Sequence, residues 1–568
     1  MLRHLPLLVF WTALSFAQTR TMSVGEVRAG MKGTGLTVFS GEKIESFDVE
    51  ILGVLENAGP KQSIILGRLS GGPLAHTGVM QGMSGSPVYV NGKLLGAVAL
   101  AFSLSKDPIA GIRPWEEMLE ARAVDRPRLA ANPQAAFQWG ETKLQEIATP
   151  VSFSGFTPGT LEAFAPQLRQ MGLEPRQGIS GGGGARLPQG DPRSLKPGAM
   201  ISVQLVSGDM SIAADGTVTH IEGNRVYAFG HRFVSLGAVD LPFASSEVIT
   251  LLPNLSTSFK ISTARKLLGT ITHDYSTAVR GELGRKARMI PVSVLVRGAA
   301  NRTSRYQMEM IDDTTLTPFL LQLAMFGAID ATERTIGGVS YTVKQTIGFE
   351  KAPAVKSANI FSGEFNIPML AAQNVAIPVA YAMQSGFPEL KVSSVEVEVE
   401  AAPVKNQLVV DELTAGRRVV RPGDTVPLTL VLAAEGRRIT RQASYRVPPG
   451  IQTGPLHFTV ADALVTNFNE FRNVVMTPAR SYNQVHHLLT GLRDNTKAYI
   501  RVWRAEASFE SEGAEFPSPP PSVGILMART QGNAATMPAS TAKIAEIAID
   551  GLNAMISGTK TVTVEVKE

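Results

Sequence analysis

Period-two alternation broken by turn residues runs through the first hundred residues, and it commits this chain to β-structure before any other property is weighed. In "GLTVFSGEKIESFDVEILGVL" apolar and polar positions alternate on both sides of Gly41-Glu42-Lys43, as in a hairpin with one buried face. "SPVYVNGKLLGAVAL" repeats the device around Asn91-Gly92, a dipeptide that readily takes the positive φ angles of a two-residue hairpin turn. Similar strand text returns at residues 198–300 and again at 403–475. The 53 glycines and 35 prolines suit so many turns. A chain of 568 residues exceeds one hydrophobic core, so the strands divide among about three or four domains. The expected fold class is mainly β and multi-domain.

Arg3 and His4 precede an apolar run from Leu5 to Phe16, and Ser15-Phe16-Ala17 offers small residues for cleavage after Ala17. About a dozen apolar residues are too few to cross a bilayer, and no later segment is long enough either. Residues 1–17 therefore read as a signal peptide. The product is expected to be secreted or periplasmic, in the bacterial cell envelope, with no integral membrane segment after cleavage. Residues 18–123 and 198–300 form two strand-rich halves. Between them, 124–197 is a connecting segment with a helical stretch on Leu161, Phe164, Leu168 and Met171, interrupted by Pro166, and a glycine-rich loop. Residues 301–402 read as an α/β extension whose helix has Thr317 as cap, Pro318 in its first turn and Gly327 at its end. A β-sandwich (Ig-like) module follows at 403–475. A mixed segment fills 476–568, with a capping box at Ser481 and Gln484 and an amphipathic helix opened by Ser540.

Several chemistries are excluded. There is no cysteine, so disulfides, thiol catalysis and iron–sulfur clusters are impossible. A net charge of +5 without a dense basic run gives no basis for nucleic-acid binding. "GISGGGGAR" lacks the lysine of a phosphate-binding loop, and no HExxH pattern or His/Asp cluster suggests a metal. No cofactor or metal is expected.

What remains is Gly82-Met83-Ser84-Gly85-Ser86-Pro87. A serine hydroxyl needs a base to take its proton and donors to hold the oxyanion. Glycines on both sides allow amide N–H groups to converge, with Gly82 and Ser84 the natural pair. The base must be a histidine. His231, presented by Gly230 at the end of the apolar strand in "RVYAFGHRF", is the best placed, and His76 in "GGPLAHTGV" is its rival. His220 and His273 lie in polar strand ends and His457 lies in a sandwich strand. His486 and His487 lie side by side on a helix.

These runs carry a resemblance. "VRAGMKGTGLTVFSGEKIESFDVEILGVL" with "GVMQGMSGSPVYVNGKLLGAVALAF" resembles the serine half of the SpoIVB-type serine peptidases, the sporulation stage IV B protease family. "GTVTHIEGNRVYAFGHRF" and "GTITHDYSTAVRGELG" resemble its histidine half. The resemblance implies a chymotrypsin-like double β-barrel with Ser84 as nucleophile, His231 as general base, and the backbone of Gly82 and Ser84 as oxyanion hole. It implies a serine endopeptidase acting on a protein or peptide substrate in the cell envelope. The serine half precedes the histidine half, which implies a circular permutation. The family's orienting aspartate lies shortly before the serine, but this chain has no Asp or Glu between Glu56 and Asp107. Asp209 and Asp240 are the candidates for that role, while Asp215 beside Gly216 reads as a turn residue. No PDZ-like segment is visible. Without the aspartate, a catalytically inactive envelope protein using the same body and the β-sandwich as a binding platform is the alternative.

Overall fold

The computed structural model describes residues 20–568 apart from 60–61, 103, 120–135, 140–141, 179–185, 299–301, 334–336, 435, 468–478, 480, 512–513, 518, 530–535 and 540. The expected signal peptide and nearly all of the glycine-rich loop lie outside the described residues.

The first half closes on itself. Strands β1 (Lys32–Ser40), β2 (Lys43–Gly59), β3 (Gln62–Ser70), β4 (Pro87–Val90), β5 (Lys93–Phe102) and β6 (Ile109–Pro114) pair in the order β4-β1-β2-β3-β6-β5, and β4 also pairs with β5. All six pairings are antiparallel, so the sheet is a six-stranded barrel without a free edge. Both expected hairpins are present. Asn91 and Gly92 take φ of 51° and 71°, as a type I′ turn requires. The barrel is filled by Phe47, Val49, Ile65, Val88, Leu95 and Ile112.

The connecting segment carries β7 (Ala136–Trp139), β8 (Thr142–Glu146), β9 (Thr149–Ser154), α1 (Pro158–Gln170) and β10 (Leu173–Gln177). β8 extends the first barrel at β5, whereas β9 pairs with the second half, so the segment ties the two together. Helix α1 begins at Thr157, whose hydroxyl accepts from Thr160 N, and Pro166 sits inside it without ending it.

The second half forms another closed ring. Strands β11 (Met200–Gly208), β12 (Ser211–Glu222), β13 (Arg225–Ala228), β14 (Gly237–Leu252), β15 (Phe259–Asp274) and β16 (Val279–Leu283) pair in the order β12-β13-β16-β15-β14-β11, closed by β11 on β12. The two barrels meet in an apolar cluster in which Trp115 packs edge-on to Tyr227 at 5.1 Å beside Leu94 and Ala278. The fold is thus mainly β, with two barrels side by side.

Beyond β16 the sheet continues without a break. β17 (Met289–Arg297) and β18 (Thr303–Ile311) join it at β11; α2 (Leu316–Thr332), β19 (Val339–Phe349), β20 (Val355–Gly363), α3 (Ile367–Gln384) and β21 (Val392–Ala402) complete the extension. Helix α2 departs from its expected ends. Asp313, not Thr317, caps it by accepting from Thr315 N and Leu316 N, and the Thr317 hydroxyl donates to Ile311 O. Gly327 lies inside the helix because Phe156 occupies the space where a side chain would stand.

The C-terminal region is a two-sheet sandwich with one shared core around Leu430, Leu432, Phe458, Val502 and Val564. Strands 407–415, 425–434, 437–446 and 555–557 form one sheet; 419–420, 454–461, 498–504, 542–549 and 560–566 form the other. Ser481 caps its helix as expected, accepting from Gln484 N. The helix expected after Ser540 is instead the strand Ala542–Ile549. Its backbone pairs with Ala498–Arg504, and this pairing overrides a helical pattern in the sequence.

Candidate active site

The turn that carries Ser84 is bonded to both barrels. Within the first, Met83 N donates to Met80 O at 3.1 Å, Ser86 N to Met83 O at 2.9 Å, and Gly85 N to Val98 O of β5 at 2.8 Å. From the second, β12 grips the turn. Thr217 N donates to Ser84 O at 2.9 Å, Thr217 Oγ1 to Gly82 O at 2.8 Å, and Thr219 Oγ1 to Gly85 O at 2.7 Å. Gly82 and Gly85 have φ of 90° and 93°, which side chains other than glycine's rarely accept. A Cβ at Gly85 would also lie 2.0 Å from Thr217 O and 2.5 Å from Phe229 N. Glycine there lets the serine turn lie directly on β12 and on the Phe229 backbone that leads from β13 to His231.

The Gly230–His231 corner rests on the same backbone. Phe229 N donates to Thr217 O, and a Cβ at Gly230 would stand 3.2 Å from Val98 O. The structure therefore brings the Ser84 turn and the His231 corner together between Val98 and Thr217. Among the described residues, the amides of Gly82 and Ser84 have no hydrogen-bond partner, while those of Met83, Gly85 and Ser86 do. Two free N–H groups flanking the nucleophile are what an oxyanion hole needs.

His231 Nδ1 lies 2.6 Å from Arg232 O. A carbonyl can only accept, so Nδ1 carries the proton and Nε2 presents a lone pair. Burial holds the imidazole down to about 4; the Arg232 carbonyl opposes this, and the Arg113 and Arg232 cations reinforce it. At neutral pH the ring is an uncharged base. Neither Ser84 Oγ nor His231 Nε2 has a hydrogen-bond partner among the described residues, although both atoms are buried. Ser84 is 0% exposed and His231 2%, so the site is closed in this state. A small cleft lined by Glu146, Thr149, Gly172 and Phe233 reaches His231, which places the connecting segment over the base. Arg176 of β10 donates to Gln81 Oε1 at 3.4 Å, next to Gly82.

The other candidates stand elsewhere. His76 is exposed on the short helix Leu74–Thr77. Asp209 does not orient His231: its carboxylate accepts from Gln307 N at 2.7 Å, in the middle of β18. Asp240 is taken up by Arg285 and by Arg288 N. Asp215 is not in a turn but inside β12, fully buried among the hydroxyls of Ser152 and Ser246, and burial pushes its carboxyl up to about 6. His220 packs edge-on to Trp115, and His457 stacks on Trp503.

Several residues around the site escaped the sequence reading. Glu146 holds the Arg232 side chain at 3.2 Å and lies 4.0 Å from buried Arg113. Lys260 runs beside Gly82, and its Nζ donates to Thr37 Oγ1, which also takes the Ser86 hydroxyl. Asp274 holds the loop that follows His231. The available signal was a charged residue at an inward position of an apolar strand, as in "SFKIS" and "GTITHDYST".

Residues 14–118 match the family model described as SpoIVB peptidase S55. The serine half of this chain is thus similar to that family. The match spans the first barrel and the Ser84 turn, and ends before His231. No curated protein and no solved structure matches the chain.

Proposed function

We propose that the protein is an exported serine endopeptidase of the SpoIVB type with its two halves in permuted order. Ser84 Oγ bonds to a peptide carbonyl carbon while His231 Nε2 takes the hydroxyl proton. The Gly82 and Ser84 amides hold the oxyanion. The proton then passes to the leaving amine as the C–N bond breaks, and water, activated by the same nitrogen, hydrolyses the acyl-enzyme. One observation carries this reading: the Ser84 turn and the His231 corner share a docking surface, with Nδ1 engaged and Nε2 left as acceptor. The orienting role that the sequence reading sought in Asp209 falls to the Arg232 carbonyl. A carbonyl steadies an imidazolium less than a carboxylate does, and two guanidinium groups stand nearby, which suits a slow enzyme for a limited set of envelope substrates.

The alternative, a catalytically silent envelope binding protein, is favoured by the complete burial of Ser84. Labelling of the mature protein with a fluorophosphonate probe separates the two. Labelling that is lost in Ser84→Ala and His231→Ala but kept in His76→Ala supports the peptidase. Absence of labelling in folded wild type, including after limited proteolysis of the connecting segment, supports the binding protein.

A further inference from the structure

The chain path around His231 is one that ordinary residues avoid. Phe229 has φ of 71° and Ser235 φ of 61°, both in the left-handed region that glycine alone enters freely. Such a path persists only where its surroundings over-determine it. Thr217 O holds Phe229 N, and Asp274, the last residue of β15, supplies the constraint on the loop that contains Ser235. Asp274 is buried, and its carboxylate accepts from Phe233 N at 2.7 Å, Val234 N at 2.8 Å and Leu236 N at 3.1 Å.

The first of these bonds matters most. Phe233 N and Arg232 O belong to the same planar peptide group, and the two point in opposite directions across it. Asp274 Oδ1 therefore accepts from one edge of the peptide group whose opposite edge accepts from His231 Nδ1. A carboxylate that pulls on an amide N–H makes the carbonyl of that amide a better acceptor. We propose that Asp274 is the positioning carboxylate of this site, acting on His231 through the peptide group between Arg232 and Phe233. The arrangement is a serine–histidine–aspartate triad with one peptide group inserted between its last two members. It rests on the reading of Ser84 and His231 as nucleophile and base. It also accounts for how a histidine beside Arg113 and Arg232 accepts a proton: as Nε2 is protonated, the positive charge on the ring is met by a carbonyl already polarised by a negative group.

The test uses the full mature chain with ring-¹⁵N-labelled histidine, the His231 signals being assigned by their loss in His231→Ala. In wild type, the proton is expected on Nδ1 with the downfield shift of a short hydrogen bond. Asp274→Asn keeps the shape but removes the charge. It is expected to move that proton signal upfield and to slow fluorophosphonate labelling of Ser84 by about 100-fold. Thr270→Val removes a hydroxyl contact to Arg285 O on the same strand and is expected to change neither. An Asp274→Asn protein that melts like Thr270→Val and keeps the wild-type signal and labelling rate overturns the proposal. So does a wild-type protein whose proton lies on Nε2, whether or not the variant folds. If the signal moves in Asp274→Asn but wild type itself never labels, the positioning role stands and the peptidase reading fails.

Discussion

Gly85→Ala probes the joint between the barrels more directly than any other single change. A Cβ at this position meets Thr217 O at 2.0 Å and Phe229 N at 2.5 Å, and both are backbone atoms that cannot swing away. Relief requires the Ser84 turn to lift from β12, which breaks the bonds from Thr217 N to Ser84 O and from Thr219 Oγ1 to Gly85 O. Two such bonds amount to about 2 kcal/mol. The alanine must also hold the φ of 93°, at about 1–2 kcal/mol. The expected loss is about 3–4 kcal/mol. Gly92→Ala is the control, because its φ of 71° brings a similar backbone cost while nothing lies within 4 Å of the new methyl. It should lose only about 1–2 kcal/mol. Urea unfolding followed by Trp115 fluorescence reads the joint, since Trp115 packs on Tyr227 across it. Trp11, Trp139 and Trp503 are replaced by phenylalanine to leave one reporter. If Gly85→Ala and Gly92→Ala unfold at the same urea concentration, the turn does not lie on β12 as described.

Three further outcomes are expected. Burial lowers His231 from 6.5 to about 4, so the unfolded chain binds the extra proton in that window and stability falls as pH drops from 6.5 towards 4. The loss attributable to this group is about 3 kcal/mol, and denaturation of His231→Gln at pH 7 and pH 4 should show a correspondingly smaller drop; an unchanged drop counts against the buried neutral ring. Burial likewise holds Lys260 down to about 7 from 10.5, opposed by Asp215. The unfolded chain binds more protons between those values, so stability rises with pH across that window, and Lys260→Met should abolish the rise; a persistent rise would assign it to another group. Arg176 lies 4.2 Å over the Phe259 ring besides bonding Gln81. Losing about 1 kcal/mol of cover in Arg176→Ala should speed fluorophosphonate labelling of Ser84 about fivefold, and equal rates would mean that the connecting segment does not guard the site.

The features legible in the sequence were those decided by a few consecutive residues. Asn91-Gly92 announced its hairpin because only certain residues take positive φ. Ser481 announced its helix because a cap acts three residues ahead. The misread positions share another cause. Gly327 resembled a helix end but is a mid-helix gap filled by Phe156, from a segment far earlier in the chain. Asp215 beside Gly216 had the spelling of a turn, yet the ring of Phe229 fills the space over Gly216 and β12 runs straight through. Asp209 was a plausible orienter by type, and only the pairing of β11 with β18 shows that its carboxylate is spent on Gln307 N.

The sequence by itself determined that this chain is β-rich, built without disulfides, and equipped with a glycine-bracketed serine and a histidine at a strand end. Each of these follows from residue identity and local backbone preference. The tertiary structure decided which groups meet. Ser84 and His231 are far apart in the chain, and the Ser84 turn and the His231 corner are brought together through Thr217 and Val98, neither of which adjoins the serine or the histidine in sequence. The partner of Nδ1 depends on one peptide oxygen, and the partner of that peptide's N–H is the carboxylate of Asp274, brought up by β15. Hydrogen-bond partners are set by strand register and barrel closure, which sum many weak long-range contacts. No short stretch of sequence encodes that sum.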